Sequence, residues 1–281
     1  MHSDHYAPTT TLPGLLQRGR GQGALIAAED GPSVAELVYG CVRWDWRWDP
    51  TADDRDRYLA RLIRDLGLSL APVVELLTGD EGTRHRATRV LELLALGGSE
   101  QARAALPDPV PAQDGPTPHH PAKDAHPDRD DPGPPVGHGD ERDIPALVAE
   151  LERCWVARAW CGPAALARGL ARFGPQAADA VSLLRRFWLS TPHSSERPAY
   201  LEALAAMGAA GMPEVYVESL DDCEPRARLL AVRHAPDRPA VRDRIGRLRD
   251  DPLEAPEVRE AAAARLSGLG RQLFEGARVD A

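Results

Sequence analysis

The stretch Glu254-Ala-Pro-Glu-Val-Arg-Glu-Ala-Ala-Ala-Ala-Arg-Leu-Ser-Gly-Leu-Gly270 gives the clearest indication of the fold. Its apolar residues recur at helical spacing and form one narrow stripe, made of Val258, Ala261, Ala262, Leu266 and Leu269. Pro256 suits the first turn of a helix, and Gly270 suits a C-terminal cap. A helix with so thin an apolar stripe cannot bury itself, and it must pack against neighbours of its own kind.

Short helical segments bounded by Pro and Gly recur along most of the chain. Apolar stripes of the same kind run through residues 53–66, 84–96 and 144–159. Aromatic residues make up only 5% of the chain and β-branched residues are few, so strand candidates are scarce. We therefore predict an all-α protein with almost no sheet.

Residues 107–143 interrupt this helical pattern. Ten of the 26 prolines lie between Pro107 and Pro135, and aliphatic residues are almost absent. The segment holds nine acidic and three basic residues, a net charge of −6 out of the −9 of the chain. Such a segment buries too little apolar surface to offset its ordering entropy. We predict a disordered linker at 107–143 between helical-repeat lobes at 12–106 and 144–281, and a disordered N-terminus at 1–11.

The segment Pro256-Glu-Val-Arg-Glu-Ala-Ala262 resembles the second-helix signature of HEAT repeats, including the short phycobilisome-lyase-like type. An Arg-x-x-Ala element recurs along the chain, at Arg84 and Ala87, Arg228 and Ala231, and Arg259 and Ala262. The resemblance is good over about 220–270 and fair over 50–106. It implies a right-handed α-solenoid of antiparallel helix pairs, and most proteins of that kind bind other proteins.

The segment Arg43-Trp-Asp-Trp-Arg-Trp-Asp-Pro50 alternates aromatic rings with charges. Trp and Arg are enriched among residues that dominate binding energy, which makes this segment a candidate contact site for a partner. The candidate binding residues are Trp44, Trp46, Trp48, Arg43 and Arg47. Two other interpretations remain open: the rings fill a gap between helix layers, or they stack on a nucleobase. We expect at least one ring to be partly exposed, because burying all three would also bury the charges between them.

Several smaller motifs favour structural roles. Gly19-Arg-Gly-Gln-Gly23 lacks the GK[ST] ending of a phosphate-binding loop, and we predict that its glycines allow close helix packing. Ser33 is predicted to cap a helix together with Glu36. Ser194 or Ser195, beside His193, is predicted to cap the helix that follows rather than to form a catalytic set.

The four cysteines form no CxxC pair, and we interpret them as free thiols, mostly buried. Cys154 and Cys161 lie seven residues apart and are expected to share a helix face. The histidines of the linker occur with aspartates, but nothing fixes their geometry as ligands. We predict no metal site and no cofactor.

The charge and hydropathy of the chain limit its partners. A net charge of −9 disfavours nucleic acid, which usually needs a positive surface, without excluding it. No apolar run approaches the ~18 residues of a membrane helix, and Met1 to Thr11 lacks the apolar core of a signal peptide. We expect a cytoplasmic protein that does not interact with membranes.

The sequence favours a non-enzymatic scaffold or adaptor that binds another protein through the concave face of its helices and the Trp/Arg segment. One alternative is an enzyme similar to the HEAT-like DNA glycosylases, which use Trp and Asp residues on a basic concave face. Another is an acidic inhibitor or immunity protein that covers a basic partner. A basic groove with an Asp between Trp rings would favour the enzyme, whereas a groove of mixed charge would favour the protein binder.

Overall fold

The computed structural model describes residues 6–44, 53–106 and 140–279, with side chains described up to residue 268. All regular structure in these ranges is helical, and they contain no strand. The prediction of an all-α protein is therefore confirmed. None of the helices in these ranges is long and apolar enough to cross a bilayer.

The N-terminal lobe consists of seven helices in the described part of the chain. They are α1 (Leu12–Gln17), α2 (Gly21–Asp30), α3 (Ala35–Arg43), α4 (Arg55–Asp65), α5 (Ala71–Glu75), α6 (Glu81–Leu96) and α7 (Glu100–Ala105). Short 3-10 turns follow α2 at Gly31–Val34 and α5 at Leu76–Thr78. The Trp46, Arg47 and Trp48 positions, and the linker from 107 to 139, lie outside the described residues.

The C-terminal lobe consists of eight described helices. They are α8 (Ile144–Val156), α9 (Pro163–Ala171), α10 (Val181–Ser190), α11 (Arg197–Ala206), α12 (Met212–Ser219), α13 (Pro225–His234), α14 (Pro239–Asp250) and α15 (Pro256–Val279). 3-10 turns precede three of them, at Glu141–Asp143, Gly174–Ala180 and Ser194–Glu196.

Local sequence accounts for where these helices begin. Proline occupies the first turn of α1, α5, α8, α9 and α11 to α14, where a missing N–H costs no helical hydrogen bond. The carboxylate of Asp80 accepts from the Thr83 N–H at 3.0 Å and caps α6. The Ser99 hydroxyl does the same for α7 by accepting from the Ala102 N–H at 3.2 Å.

Alternate helices of the C-terminal lobe pack side by side. α9 contacts α11, α11 contacts α13, and α13 contacts α15, while α8 contacts both α9 and α10. In the N-terminal lobe α4 packs against α2, α3 and α6. α2 of the N-terminal lobe also packs directly against α12 of the C-terminal lobe, so the two lobes are in contact.

Each lobe has its own apolar core, in which a fully buried Leu or Ile contributes about 1.5–3 kcal/mol. The N-terminal core centres on Leu16, Val38, Ile63 and Leu91. The C-terminal core centres on Leu170, Leu184, Phe187, Leu201 and Ile245. Cys223 and Leu253 come from the second half of the chain but belong to the N-terminal core, which ties the lobes together.

Only the alanine of the Arg-x-x-Ala element has the same degree of burial at each of its three occurrences. Ala87, Ala231 and Ala262 are all fully buried, whereas Arg84 and Arg259 are exposed and Arg228 is buried. The small residue thus marks a close helix contact, and the arginine has no common position.

Several sequence-based expectations were wrong in detail. Residues 6–11 belong to the folded body, because the Ala7 N–H donates to the Gln17 side chain at 2.7 Å. The Ser33 hydroxyl donates to the Asp30 carbonyl at 2.8 Å inside a 3-10 turn and does not cap α3. Neither Ser194 nor Ser195 caps α11. In the turn before this helix, the Thr191 hydroxyl accepts from the His193 N–H at 3.1 Å.

Other differences concern element ends. Cys154 and Cys161 do not share a helix face, since α8 ends at Val156 and Cys161 lies exposed beyond it. α15 continues past Gly270 to Val279, so this glycine does not end the helix. Residues 140–143, assigned to the linker, form a capped 3-10 turn that leads into α8.

The glycines of the Gly19–Gly23 segment allow close packing, as predicted: Gly19 and Gly21 lie against the C-terminal lobe, and Gly23 lies against Leu15 and Tyr58. Gly19 has a φ of +62° and adjoins the Cys223 side chain, where a Cβ would overlap the sulfur. A Cβ on Gly21 would overlap the Glu218 carbonyl oxygen. Since backbone carbonyls cannot move aside as flexible side chains do, glycine is required at position 21.

Two glycine-to-alanine changes should therefore have opposite effects on stability. Gly21→Ala should lower the free energy of unfolding by about 1–3 kcal/mol because it forces the lobes apart. Gly40→Ala, within α3 and facing open space, should raise it by about 0.5–1 kcal/mol through helix propensity. Urea unfolding of both variants measures the difference, and an equal effect at the two positions would contradict the close approach at Gly21.

Candidate functional site

The lobe junction is the contact between residues 18–24 and α4 of the N-terminal lobe and residues 188–197 and 218–224 of the C-terminal lobe. The Cys223 N–H donates to the Gly19 carbonyl oxygen at 2.8 Å, a backbone hydrogen bond between the lobes. Charged side chains surround this contact, and several of them are fully buried. A buried charge is costly unless it is paired and hydrogen-bonded, so the partners of these side chains determine the architecture of the junction.

Three arginines of the N-terminal lobe bond to backbone carbonyls at the end of α10. Arg18 Nε donates to the Ser190 carbonyl at 3.1 Å, and Arg20 Nη1 donates to the Trp188 carbonyl at 2.6 Å. Arg55 Nη2 reaches the Pro192 carbonyl just beyond, at 3.4 Å. The last carbonyls of a helix lack intrahelical partners and carry partial negative charge, so guanidinium groups suit this position.

Arg197 and Asp222 form a fully buried ion pair in the C-terminal lobe. Arg197 Nη2 lies 2.7 Å from Asp222 Oδ1, and Arg197 Nη1 donates to the Arg18 carbonyl at 3.0 Å. Burial acts to lower the pKa of Arg197, but Asp222 and Cys223 outweigh it and raise that pKa. Arg197 therefore stays charged, and it connects α11 to Asp222 and to the N-terminal lobe.

The two buried cysteines, Cys41 and Cys223, have thiols of low reactivity. Burial raises the pKa of the Cys223 thiol to about 12, although the Arg197 guanidinium next to it acts in the opposite direction. Burial likewise raises the pKa of Cys41 to about 12. Since the thiolate is the reactive form, neither cysteine is suited to nucleophilic or redox chemistry.

A second buried ion pair joins α13 to the start of α15. Arg228 contacts Glu254 in a bidentate manner, with Nε and Nη2 at 2.8 and 2.6 Å from the carboxylate oxygens. Its third nitrogen donates to the Asp222 and Cys223 carbonyls at 2.6 and 2.8 Å. Arg61 of α4 approaches the same carboxylate at 2.9 Å, which extends the network across the junction towards the surface.

An open groove of about 700 Å³ lies where this network reaches the surface, between α4 and α14. We call it the α4–α14 groove. Its apolar part is formed by Ala24, Tyr58, Leu62, Leu220 and Leu248. Its charged part contains five arginines and five aspartates, namely Arg61, Arg64, Arg242, Arg244, Arg247, Asp65, Asp221, Asp243, Asp250 and Asp251.

Most of these charges pair with one another. Arg64 Nη1 lies 2.7 Å from Asp251, and Arg61 Nε lies 2.8 Å from the same carboxylate. Burial acts to raise the pKa of Asp251, but these two arginines hold it below its usual value. Arg244 pairs with Asp221. The groove is therefore a rigid surface of mixed charge with no net charge of its own.

The described residues of the Trp/Arg segment, Arg43 and Trp44, lie at the end of α3. Trp44, at the end of α3, is 60% exposed, which matches the expectation that at least one ring is partly exposed. Arg43 is also exposed, and its carbonyl accepts from Arg86 and Thr83 of α6. Leu37, two helical turns before Trp44 on α3, is 37% exposed. Trp44 and Arg43 do not line the α4–α14 groove, and Trp46, Trp48 and Arg47 lie outside the described residues.

The groove was not predicted from the sequence, because the residues that line it do not form a motif in any one part of the chain. The signal was present in Arg55-Asp-Arg-Tyr-Leu-Ala-Arg-Leu-Ile-Arg-Asp65 and in Pro239-Ala-Val-Arg-Asp-Arg-Ile-Gly-Arg-Leu-Arg-Asp250. Both helices mix Arg and Asp beside a thin apolar stripe. Nothing in the local sequence indicates that two helices about 180 residues apart face each other.

The Arg197–Asp222 pair should dominate the stability of the junction. Arg197→Ala should lower the free energy of unfolding by about 3–5 kcal/mol, because it leaves a buried carboxylate without its cation. The matched control is Arg233→Ala on the exposed side of α13, which should change it by less than about 0.5 kcal/mol. Urea unfolding monitored by circular dichroism tests this, and similar losses for both variants would contradict the ion pair.

Glu224 should make stability depend on pH. Burial raises the pKa of this carboxyl to about 7, with Asp222 and Asp54 acting in the same direction and Arg197 and the Arg226 N–H opposing. The folded state therefore binds more protons than the unfolded state between about pH 4.5 and 7, and stability falls as pH rises through that window. Glu196, with its pKa raised to about 6 by burial, adds to the same fall.

Glu224→Gln should remove the Glu224 share of this fall. The variant should match the wild type near pH 4.5 and exceed its free energy of unfolding at pH 8 by up to about 3 kcal/mol. Glu260→Gln, at an exposed position on α15, serves as the control. Chemical denaturation at several pH values measures the difference, and parallel pH profiles for the wild type and Glu224→Gln would show that Glu224 is not responsible.

No protein-family model, curated protein or solved structure matches this chain.

Proposed function

We propose that this chain is a non-enzymatic helical-repeat scaffold that binds another protein, with the α4–α14 groove as its main contact surface. The observation that carries this proposal is the open groove of about 700 Å³ between the lobes, with apolar side chains inside it and paired charges around it. Protein interfaces combine an apolar centre with a polar rim in the same way.

The packing of alternate helices supports a HEAT-like arrangement. A series of contacts from α9 through α11 and α13 to α15 is what stacked helical repeats produce, since each repeat touches its neighbours. In such solenoids the surface formed by successive repeats commonly binds an extended partner. An α-solenoid is therefore part of the proposal.

The charge of the groove favours a protein over a nucleic acid. Nucleic-acid sites depend on an excess of Lys and Arg that neutralises phosphates. Here five arginines face five aspartates, and exposed carboxylates such as Asp65 and Asp243 lie among the groove residues. A polyanion would meet these carboxylates along its length, whereas a protein segment can match both signs.

The groove also has a preset shape. Arg61, Arg64 and Asp251 fix α4 against the α14–α15 connection, and Arg244 and Asp221 fix α14 against the end of α12. A partner that binds there does not have to order these side chains, which lowers the entropic cost of association.

Two glycine positions allow the contact surface to be mapped without disturbing the core. Gly246 lines the groove and Gly40 lies on α3 near Leu37 and Trp44; at both, a new side chain would meet open space. Gly246→Trp should fill the groove, and Gly40→Trp should cover the α3 surface. Cross-linking and affinity capture from the source cell should recover a protein partner with the wild type and with Gly40→Trp, and at least about ten-fold less with Gly246→Trp.

The other outcomes contradict parts of the proposal. Loss of the partner with Gly40→Trp alone would move the contact site to the Trp44 surface. Equal recovery with all three proteins would show that neither surface is the contact site. Recovery that disappears after nuclease treatment would favour the nucleic-acid alternative. Thermal melts of both variants, expected to match the wild type, ensure that lost capture does not reflect unfolding.

A further inference from the structure

The ion pairs are not distributed evenly among the charged groups of the α4–α14 groove. Arg244 is paired with Asp221, and the charges of Arg247 and Arg61 also act on that carboxyl. Burial raises the pKa of Asp221, and these three guanidinium groups oppose the rise. Asp221 is therefore paired with Arg244, and the charges of two further arginines of the groove act on it.

Arg61 is already engaged elsewhere. It lies 2.8 Å from Asp251 and 2.9 Å from Glu254, and each of these carboxylates also binds a second arginine. The neighbouring Arg64 completes its contacts with Asp65 and Asp251. These guanidinium and carboxylate groups form ion pairs with one another, so their charges are already compensated.

Arg247 differs from the other arginines of the groove. It is exposed, and among the described residues no carboxylate lies within ion-pair distance of it. Asp243, one helical turn earlier on α14, is a good position for an i,i+4 ion pair, yet the two side chains are not paired. Arg247 lines the groove together with Asp221, and its positive charge acts on that carboxyl. One cationic group thus remains available beside Asp221.

The surroundings of Arg247 restrict what can bind there. Leu62, Leu220 and Leu248 line the same groove and are largely buried, so they present only a small apolar surface to a ligand. Asp65, Asp243 and Asp250 are exposed and would repel a ligand of high negative charge. The geometry suits one carboxylate next to an apolar group, with neutral or basic groups towards the exposed aspartates.

We propose that Arg247 binds a single acidic side chain of the protein partner, while an adjacent apolar side chain packs against the part of the groove lined by Leu62, Leu220 and Leu248. This inference rests on the proposed function and specifies the chemistry of the partner. Guanidinium and carboxylate groups form two parallel hydrogen bonds, so the site distinguishes a carboxylate from an amide of the same shape.

Two matched peptides test the inference. The first is a fluorescein-labelled Arg-Leu-Glu-Leu-Arg peptide blocked at both ends, and the second has Gln in place of Glu. With the full-length wild type, the Glu peptide should bind at least about 5-fold more tightly than the Gln peptide, as measured by fluorescence anisotropy. Arg247→Ala should abolish this preference, and Arg247→Lys should keep part of it. Arg233→Ala, at an exposed position on α13 that does not line the groove, should leave the preference unchanged.

Asp221→Asn provides a test of opposite sign. Removing the carboxylate that competes for Arg247 should tighten binding of the Glu peptide several-fold. If the peptide instead bound through its own arginines to the groove carboxylates, the same change would weaken it. Weaker binding of the Glu peptide to Asp221→Asn would therefore overturn the inference, as would no binding of that peptide to the wild type at millimolar concentration.

The outcomes separate this inference from the proposed function. Equal binding of the two peptides, lost in Gly246→Trp, would leave the groove as a docking site and refute the preference for a carboxylate. A Glu preference that survives in Gly246→Trp would place the peptide elsewhere and refute the inference. A Glu preference lost in both Gly246→Trp and Arg247→Ala supports it.

Discussion

Arginine side chains that bond to the C-terminal carbonyls of other helices hold this structure together. Arg86 of α6 donates to the Val42 carbonyl at the end of α3 at 2.9 Å, and Arg265 of α15 donates to the Val232 and Ala235 carbonyls at the end of α13 at 2.5 and 2.6 Å. The contacts of Arg20 with α10 follow the same rule across the lobe junction. Helix ends that would otherwise need water are thus satisfied inside the protein. The planar guanidinium, with five donors, suits this task better than the single ammonium of lysine.

This use of arginine explains the charge pattern of the junction and the groove. A buried guanidinium that bonds only to carbonyls would remain uncompensated, and a carboxylate close by offsets its charge. In the interior, Asp222 offsets the charge of Arg197, and Glu254 offsets the charge of Arg228. Towards the surface the same pairing continues, and the series ends with Arg247, which has no carboxylate partner within the part of the chain that the structure describes. The candidate binding site is therefore the outer end of a structural network.

The sequence predicts the helical class and the positions of most helices, because apolar spacing and the Pro and Gly boundaries are local signals. It also predicts that the glycines at 19–23 serve close packing, since the segment lacks the residues of a phosphate loop. The long-range pairing is not predictable in this way. Arginine accounts for 33 of the 34 basic residues, which the sequence alone attributes to codon usage in a GC-rich genome, yet many of these side chains have defined acceptors. No local sequence pattern indicates that Arg20 hydrogen-bonds to the Trp188 carbonyl, which is 168 residues away in the chain. Likewise, Trp44 is conspicuous in the sequence, whereas Arg247 resembles any surface arginine.

The hydrogen bonds of the junction also have a consequence for folding kinetics. Arg18 bonds to Ser190 and Arg20 to Glu218 across separations of 172 and 198 residues, whereas each apolar core is built mainly from helices close in sequence. Local contacts form before distant ones, because closing a long loop costs entropy that only the final contact repays. Each lobe therefore gains its core first, with Arg18 and Arg20 still hydrated. Docking of the lobes is then the late step, and its barrier includes the removal of water from these guanidinium groups and from the carbonyls that await them.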